Sequence, residues 1–369
     1  MKKKIITILG TRPEIIRLSS IIKQLDKNFN HIMINTNQNY DKHLNEVFFN
    51  QFKIKKPKYI LKKEKFNSPI EFISRAMLKV DNILKIEKPD GVLVLGDTNT
   101  SLMAIVAKKR KIPIFHIEAG NRCFDERVPE EVNRKIVDHI SDINLTYSEF
   151  ARQNLISEGL NQDRIIKVGS PLYEVYSNNN LLIEKSKILK KLNLKKKNFF
   201  LASIHREENV DDISKLSEII KSFNMIVKKF KMPLIVSTHP RTKSKLKHLN
   251  KIDSKIKFMS PFGFFDYVKL IRNCILILSD SGSITEETSI LKIPSINLRN
   301  TFERQEGYEK GLSIISGLNS NDILESINLI LNKSFFDSHQ DYCVTNVSEN
   351  VCNIIQSHIH YINYKVWYR

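Results

Sequence analysis

Short apolar runs alternate along this chain with longer stretches in which apolar positions recur every three or four residues. The runs predict strands at 5–9, 31–36, 91–95, 113–118 and 143–147. The intervening stretches predict helices. Ile15, Leu18, Ile22 and Leu25 line one such face, 69–86 forms another, and Leu102, Ile105 and Val106 mark a third. A helix over 129–140 opens on Pro129, a favourable first-turn residue, with Val132, Ile136, Val137 and Ile140 spaced for one buried face. Another covers 149–158. The rhythm breaks at Gly169-Ser170-Pro171 and again at Ser177-Asn178-Asn179-Asn180, a turn-forming run. It resumes with strands at 199–204, 233–238, 274–279 and 294–298 and a helix at 284–291. The last helix, 347–362, is followed by an aromatic tail (Tyr364, Trp367, Tyr368) expected to dock on the body of the protein. Strand-then-helix alternation without a short repeat points to two α/β domains with mostly parallel sheets. The expected division is 1–170, 171–346 and a C-terminal helix and tail, 347–369.

The length, 369 residues, is too great for one ordinary core and 41% hydrophobic residues suffice for two. The four cysteines (Cys123, Cys274, Cys343, Cys352) show no C-x-x-C spacing, which fits an intracellular thiol protein rather than a disulfide scaffold and reveals no metal site. The basic start has too short an apolar run for a signal peptide, and no run approaches membrane-spanning length. A cytoplasmic protein is expected, with no membrane partner. With 59 basic and 40 acidic residues the net charge is +19, which favours an anionic partner. The excess is scattered lysine, dense over 53–65 and 185–197, with no zinc finger or aromatic RNA-binding motif, so no nucleic-acid partner is expected.

The stretch 113–140 organises the candidate chemistry. Glu118 ends a strand, the break Ala119-Gly120 follows, and Glu130 lies in the first turn of the next helix. Ligands of open α/β sheets bind beyond the carboxyl ends of the strands, where two such carboxylates can act as acid and base. Glu130 and Glu131 equally complement a helix dipole, and Asp97 or Thr98 equally caps the helix after its strand. Gly10-Thr11-Arg12-Pro13-Glu14 joins a strand to a helix and offers backbone N–H groups to an anion, reinforced by Arg12 and Arg17. Asp280-Ser281-Gly282-Ser283 does the same in the second half, with Glu287 one turn on to take ribose hydroxyls.

Taken together, Gly10-Thr11-Arg12-Pro13-Glu14, Gly96-Asp97-Thr98, His116-Ile117-Glu118-Ala119-Gly120, Pro129-Glu130-Glu131 with Asn133-Arg134, His205-Arg206 with Glu208-Asn209, Asp280-Ser281-Gly282 with Glu286-Glu287, and Glu303-Arg304 resemble the non-hydrolysing UDP-N-acetylglucosamine 2-epimerases in order and spacing. The resemblance implies two Rossmann-like domains facing across a cleft, as in glycosyltransferases of the B type, with the last helix crossing back to the first domain. It implies epimerisation at C2 of a UDP-linked 2-acetamido sugar by expulsion and re-addition of UDP, without metal or nicotinamide cofactor. It also implies a homodimer. Asp97, Glu118 and Glu130 are the implied acid/base groups, with His205 beside the departing diphosphate. Arg12, Arg17, Tyr267, Ser281, Gly282, Ser283, Glu287 and Arg304 match nucleotide-holding positions, Tyr267 by stacking on uracil.

Two segments depart from the common pattern: the loop Asn121-Arg122-Cys123-Phe124-Asp125-Glu126-Arg127-Val128, and His205-Arg206-Glu207-Glu208-Asn209, with glutamate where arginine is usual. Both are similar to the branch that converts UDP-2-acetamido-2,6-dideoxy-L-talose to UDP-N-acetyl-L-fucosamine for surface polysaccharides, which makes Asn121, Arg122 and Phe124 the implied sugar-specificity positions. A UDP-N-acetylglucosamine 2-epimerase and, further off, a two-domain glycosyltransferase are the alternatives. The glycosyltransferase would need an acceptor site and no set of three acid/base carboxylates.

Overall fold

The computed structural model describes residues 2–368 apart from 39–41, 63, 239–241, 243–244, 247–251 and 334–336. The turn His239-Pro240-Arg241 and the Glu208 side chain therefore lie outside the described residues. The chain folds as two compact units, Met1–Ser177 with Asp341–Arg369, and Asn178–Gln340.

The first unit holds seven strands: β1 (Lys4–Leu9), β2 (Asn30–Asn35), β3 (Tyr59–Ile60), β4 (Gly91–Leu95), β5 (Ile114–Ala119), β6 (Ile143–Thr146) and β7 (Ile165–Lys167). They pair in parallel in the order β3-β2-β1-β4-β5-β6-β7. The second unit holds β8 (Phe200–Ile204), β9 (Leu234–Thr238), β10 (Ile256–Met259), β11 (Leu276–Ser279), β12 (Ser295–Asn297) and β13 (Ser313–Ile315), all parallel, in the order β10-β9-β8-β11-β12-β13. Both are Rossmann-like sheets. Their strand order reverses between β1 and β4 and between β8 and β11, and ligand crevices open at such switch points.

Burial explains why the central strands read as unbroken apolar runs. Ile5, Ile6, Leu9, Val92, Leu93 and Val94 are fully buried because helices cover both faces of the sheet. In the second unit Phe200, Ala202, Leu276 and Leu278 pack with Leu216, Ile219 and Phe223 of the Ile213–Phe230 helix. The C-terminal helix, Val347–Trp367, packs on the Arg12–Asn28 helix of the first unit, and Glu174 caps its start by accepting from the Ser348 amide at 2.9 Å.

Three elements differ from the sequence expectation. The last helix runs on to Trp367, so Tyr364 and Trp367 are helical. Trp367 stacks under the Lys108 ammonium at 5.2 Å, whereas Tyr364 and Tyr368 are exposed rather than docked. The lysine-rich region between 36 and 69, expected to be irregular, contains a helix, Lys42–Phe52, and the short strand β3. The Pro129–Ile140 helix buries Glu131, Arg134, Val137 and Asp138, while Val132 and Ile136 are exposed. Its inner face meets charged groups, so ion pairing decides the orientation that apolar spacing alone assigned wrongly.

Candidate active site

Glu14, Asp97 and Glu118 gather at the carboxyl edge of β1, β4 and β5. Glu14 lies in the first turn of the Arg12–Asn28 helix and forms a capping box with Thr11. Its carboxylate accepts from the Gly10 amide (2.6 Å), the Thr11 amide (2.8 Å) and the Thr98 hydroxyl (2.6 Å). The β1 turn thus supplies its own anion, and two of the amides expected to meet a ligand are already taken. Burial pushes the Glu14 carboxyl up to about 7 despite those three bonds. Arg12 lies beside the Phe48 ring at 5.8 Å. Arg17, itself buried, sits with Nε 3.3 Å from Glu118 Oε2, so it faces a carboxylate of the site.

Asp97 follows Gly96 at the end of β4. It does not cap a helix: its carboxylate accepts from Nε (3.1 Å) and Nη2 of Arg134. Asn133 Nδ2 donates to the Asp97 carbonyl at 2.9 Å. Arg134 also donates through Nη1 to Glu131 at 2.6 Å. Glu131 is buried, which raises its pKa, but the Cys123 amide and the Arg134 charge outweigh burial and hold it below the usual carboxylate value. It also accepts from the Phe124 amide at 3.0 Å, so one carboxylate folds the 121–128 loop onto the helix.

Glu118 has φ +68°, a left-handed conformation rare for a residue with a long side chain, where β5 shifts register between Ile117 and Ala119. A Cβ added to Gly96 would lie 4.0 Å from the Glu118 carboxyl carbon, so this side chain reaches the turn that carries Asp97. Glu130 is exposed in the first turn of the Pro129–Ile140 helix. The three specificity positions separate. Phe124 is exposed (66%) with φ +55°, Asn121 is buried, and Arg122 is interior, bonded to Asp138 and Glu158 at 2.7 Å rather than turned outward.

The second unit's site is built at β8, β11 and β12. Asp280, fully buried, accepts from the amides of His205 (3.1 Å) and Arg206 (3.0 Å) and from Asn209 Nδ2 (3.2 Å). Its carboxylate also lies 3.1 Å from His205 Nδ1. Burial raises the Asp280 pKa, but the His205 charge and these donors hold it low. Arg206 and Arg299 both donate to Glu303 Oε1, at 3.0 and 2.9 Å. The Ser281-Gly282-Ser283 turn runs past that carboxylate: a Cβ on Gly282 would sit 2.6 Å from Glu303 Oε2. Ser283 donates to Glu287 at 2.7 Å, and the Ile284–Leu291 helix starts here with its dipole aimed at the turn. Arg304 is buried against Glu286 at 2.7 Å. Tyr267 is half-buried against the apolar cluster that contains Leu270 and Ile277.

The structure thus brings Arg17, Asp97 and Glu118 together in one unit and His205, Ser281, Gly282, Ser283 and Glu287 in the other. Arg134 and Arg299 were not assigned roles from the sequence. The Glu131-x-x-Arg134 spacing, three residues on one helix face, was the available signal for Arg134. Arg299, buried with Nε and Nη1 lacking hydrogen-bond partners, carried none. Among the described residues no group of three or more His, Cys, Asp or Glu side chains is arranged to hold a metal ion, and no helix is long and apolar enough to cross a membrane.

A family model described as UDP-N-acetylglucosamine 2-epimerase matches residues 23–356. The solved structure of a UDP-N-acetylglucosamine 2-epimerase from Rickettsia bellii is 45% identical, with a TM-score of 0.92 over 100% of both chains. That of the Methanocaldococcus jannaschii enzyme, in complex with UDP-GlcNAc and UDP, is 37% identical, with a TM-score of 0.89 over 96% of this chain and 99% of that one. A UDP-2,3-diacetamido-2,3-dideoxy-D-glucuronate 2-epimerase of Pseudomonas aeruginosa is 32% identical over 92% of this chain and 95% of its own.

Proposed function

The chain belongs to the UDP-N-acetylglucosamine 2-epimerase family and is a non-hydrolysing UDP-sugar 2-epimerase, an isomerase; on that premise we propose how its own residues invert C2. One carboxylate takes the C2 proton as the C1–O bond breaks, UDP departs and a 2-acetamidoglycal remains. A proton then returns to the opposite face of C2 and UDP re-adds at C1. The observation that carries this reading is the convergence of Asp97 and Glu118 at one sheet edge, each held by an arginine. Glu130, from the neighbouring helix, is the third acid/base group. The Ser281–Ser283 turn, Glu287 and Arg304 are proposed to hold UDP, with Tyr267 on the uracil and His205 at the diphosphate, where a donor stabilises the charge that develops. Incubation with UDP-sugars in D₂O, read by NMR, should show deuterium at C2, and EDTA should leave the exchange unchanged. Exchange abolished by the chelator and restored by Mg²⁺ or Mn²⁺ would contradict a metal-free reaction.

The proposed substrate is UDP-2-acetamido-2,6-dideoxy-L-talose, giving UDP-N-acetyl-L-fucosamine in the cytoplasm. The 121–128 loop follows Glu118 directly and carries Phe124 with its ring exposed, an apolar surface suited to the methyl of a 6-deoxy sugar. The names of the Rickettsia and Methanocaldococcus relatives favour UDP-N-acetylglucosamine as the second reading. Comparing kcat/KM head to head decides between them. An apolar pocket rejects an added hydroxyl by only about 10²-fold, so side activity on UDP-N-acetylglucosamine is expected. A clear preference for UDP-N-acetylglucosamine removes the L-sugar assignment and leaves the epimerase intact.

The proposed assembly is a homodimer. Ile70, Leu78 and Ile86 of the Pro69–Glu87 helix and Val132 and Ile136 of the Pro129–Ile140 helix are exposed on two helices that flank the Ala104–Lys109 helix. Exposed apolar side chains on neighbouring helices suit burial against a second copy. Light scattering should give twice the 43.0 kDa chain mass, and Val132→Asp with Ile136→Asp should halve it. A wild-type mass of one chain removes the dimer.

A further inference from the structure

We propose that Asp138, acting with His116, is a positioning residue that holds Glu118 in its left-handed conformation and sets it against the turn carrying Asp97. The inference rests on the reading of Asp97 and Glu118 as acid/base groups. A non-glycine residue at φ +68° is strained, and such strain persists only where the surroundings over-determine it. Here one fully buried carboxylate lies against both flanks of Glu118. Two residues before it, His116 Nδ1 lies 2.9 Å from Asp138 Oδ1, in a bent approach. Two residues after it, the Gly120 amide donates to both Asp138 oxygens, at 3.3 and 3.2 Å. The Asp138 carbonyl in turn accepts from Asn144 Nδ2 at 2.9 Å, which ties this end of the helix to β6.

The other nitrogen of His116 extends the clasp to β4. Nε2 lies 2.9 Å from the carbonyl oxygen of Gly96, the residue before Asp97. A carbonyl can only accept, so Nε2 donates. Nδ1 faces the Asp138 carboxylate at 2.9 Å without an aligned hydrogen bond. Asp138 is also bonded to Arg122, whose Nη1 donates to it at 2.7 Å. Arg122 spends its Nε and Nη2 on Glu158, which also meets His139 Nε2 at 2.9 Å. Each interior charge has an opposite neighbour, the condition under which buried ions are tolerated. Burial raises the Asp138 pKa, but His116 and Arg122 outweigh it and keep the carboxylate ionised. The path Gly96–His116–Asp138–Gly120 links the Asp97 turn to both sides of Glu118 without either side chain contacting substrate.

Asp138→Asn keeps the shape but removes the charge and turns an amide donor toward His116 or Arg122. His116→Gln can reach Gly96 or Asp138 but not both. Each variant should lower kcat for C2 exchange by ~10²-fold, the cost of misplacing a reacting group by about an ångström. KM and the Kd for UDP should stay at the wild-type value, measured well below the variant's own Tm. A crystal structure should show Glu118 relaxed out of the left-handed region. Wild-type kcat per folded molecule, or Glu118 still at positive φ with Gly120 in place, overturns the proposal. If Asp138→Asn does not fold, His116→Gln supplies both measurements. If the wild-type protein exchanges C2 of no UDP-sugar, the functional reading fails, and the conformation of Glu118 in the variants still decides the positioning claim.

Discussion

Asp97→Asn, Glu118→Gln and Glu130→Gln are each expected to lower turnover by ~10²-fold or more while UDP still binds. The variants differ in what else they disturb. In Asp97→Asn an amide nitrogen can face the Arg134 fork, so the acid/base group and its holder are lost together. Glu118→Gln weakens the pairing with Arg17 but preserves side-chain length at a position the backbone constrains. Glu130→Gln changes an exposed first-turn carboxylate, whose helix-dipole contribution is about 0.3–1 kcal/mol. Glu287→Ala should instead weaken UDP binding with turnover kept at saturating substrate. Arg304→Ala should weaken it too, but it also strips a charge partner from fully buried Glu286 and so destabilises the fold. Glu287 is thus the cleaner probe of the nucleotide site. Full activity in any of the three carboxamide variants removes that residue from the reaction.

The positions of the long strands and the turns after β1, β4, β5 and β11 were legible because a doubly covered parallel sheet writes buried strands as continuous apolar runs and puts ligand-binding residues at their ends. The short strands β3, β7, β10 and β13 were not. β3 and β7 span two and three residues, β10 is only partly buried, and none has an apolar run long enough to stand out from the loops. Glu118 could be named from its strand end and Asp97 through the family resemblance, but what holds them could not be read from either. Arg134 and Asp138 lie on a helix whose apolar residues, Val132 and Ile136, pointed the periodicity argument toward the wrong face. Hydrophobic spacing is blind to a helix that buries ions, and the pairs Arg134–Asp97 and Asp138–His116 join residues more than twenty positions apart. Arg122, a charged residue in a polar loop, is held in the interior by Asp138 and Glu158, which local sequence does not link to it.

Gly120→Ala should be among the most destabilising single substitutions in the first unit, and comparison with Gly159→Ala isolates the reason. Both glycines occupy the left-handed region, with φ +83° and +85°. That alone costs an alanine about 1–2 kcal/mol. A Cβ on Gly159 meets nothing within 4 Å, so this backbone penalty is the whole expected loss there. On Gly120 the same Cβ would lie 2.1 Å from the Ala151 carbonyl oxygen and 2.8 Å from its carbon. Those are backbone atoms of the Glu149–Ser157 helix and cannot rotate away. The helix cannot easily retreat either: Ser148 caps it at 3.2 Å through the Ala151 amide, and Asn154 Nδ2 donates to the Gly120 carbonyl at 3.0 Å. Gly120→Ala should therefore lose on the order of 4 kcal/mol or more, the range reserved for strain and overpacking together. Urea unfolding followed on both variants reads the difference. Equal losses would mean that the helix yields to the methyl group, and that the glycine after Ala119 is needed for its φ alone.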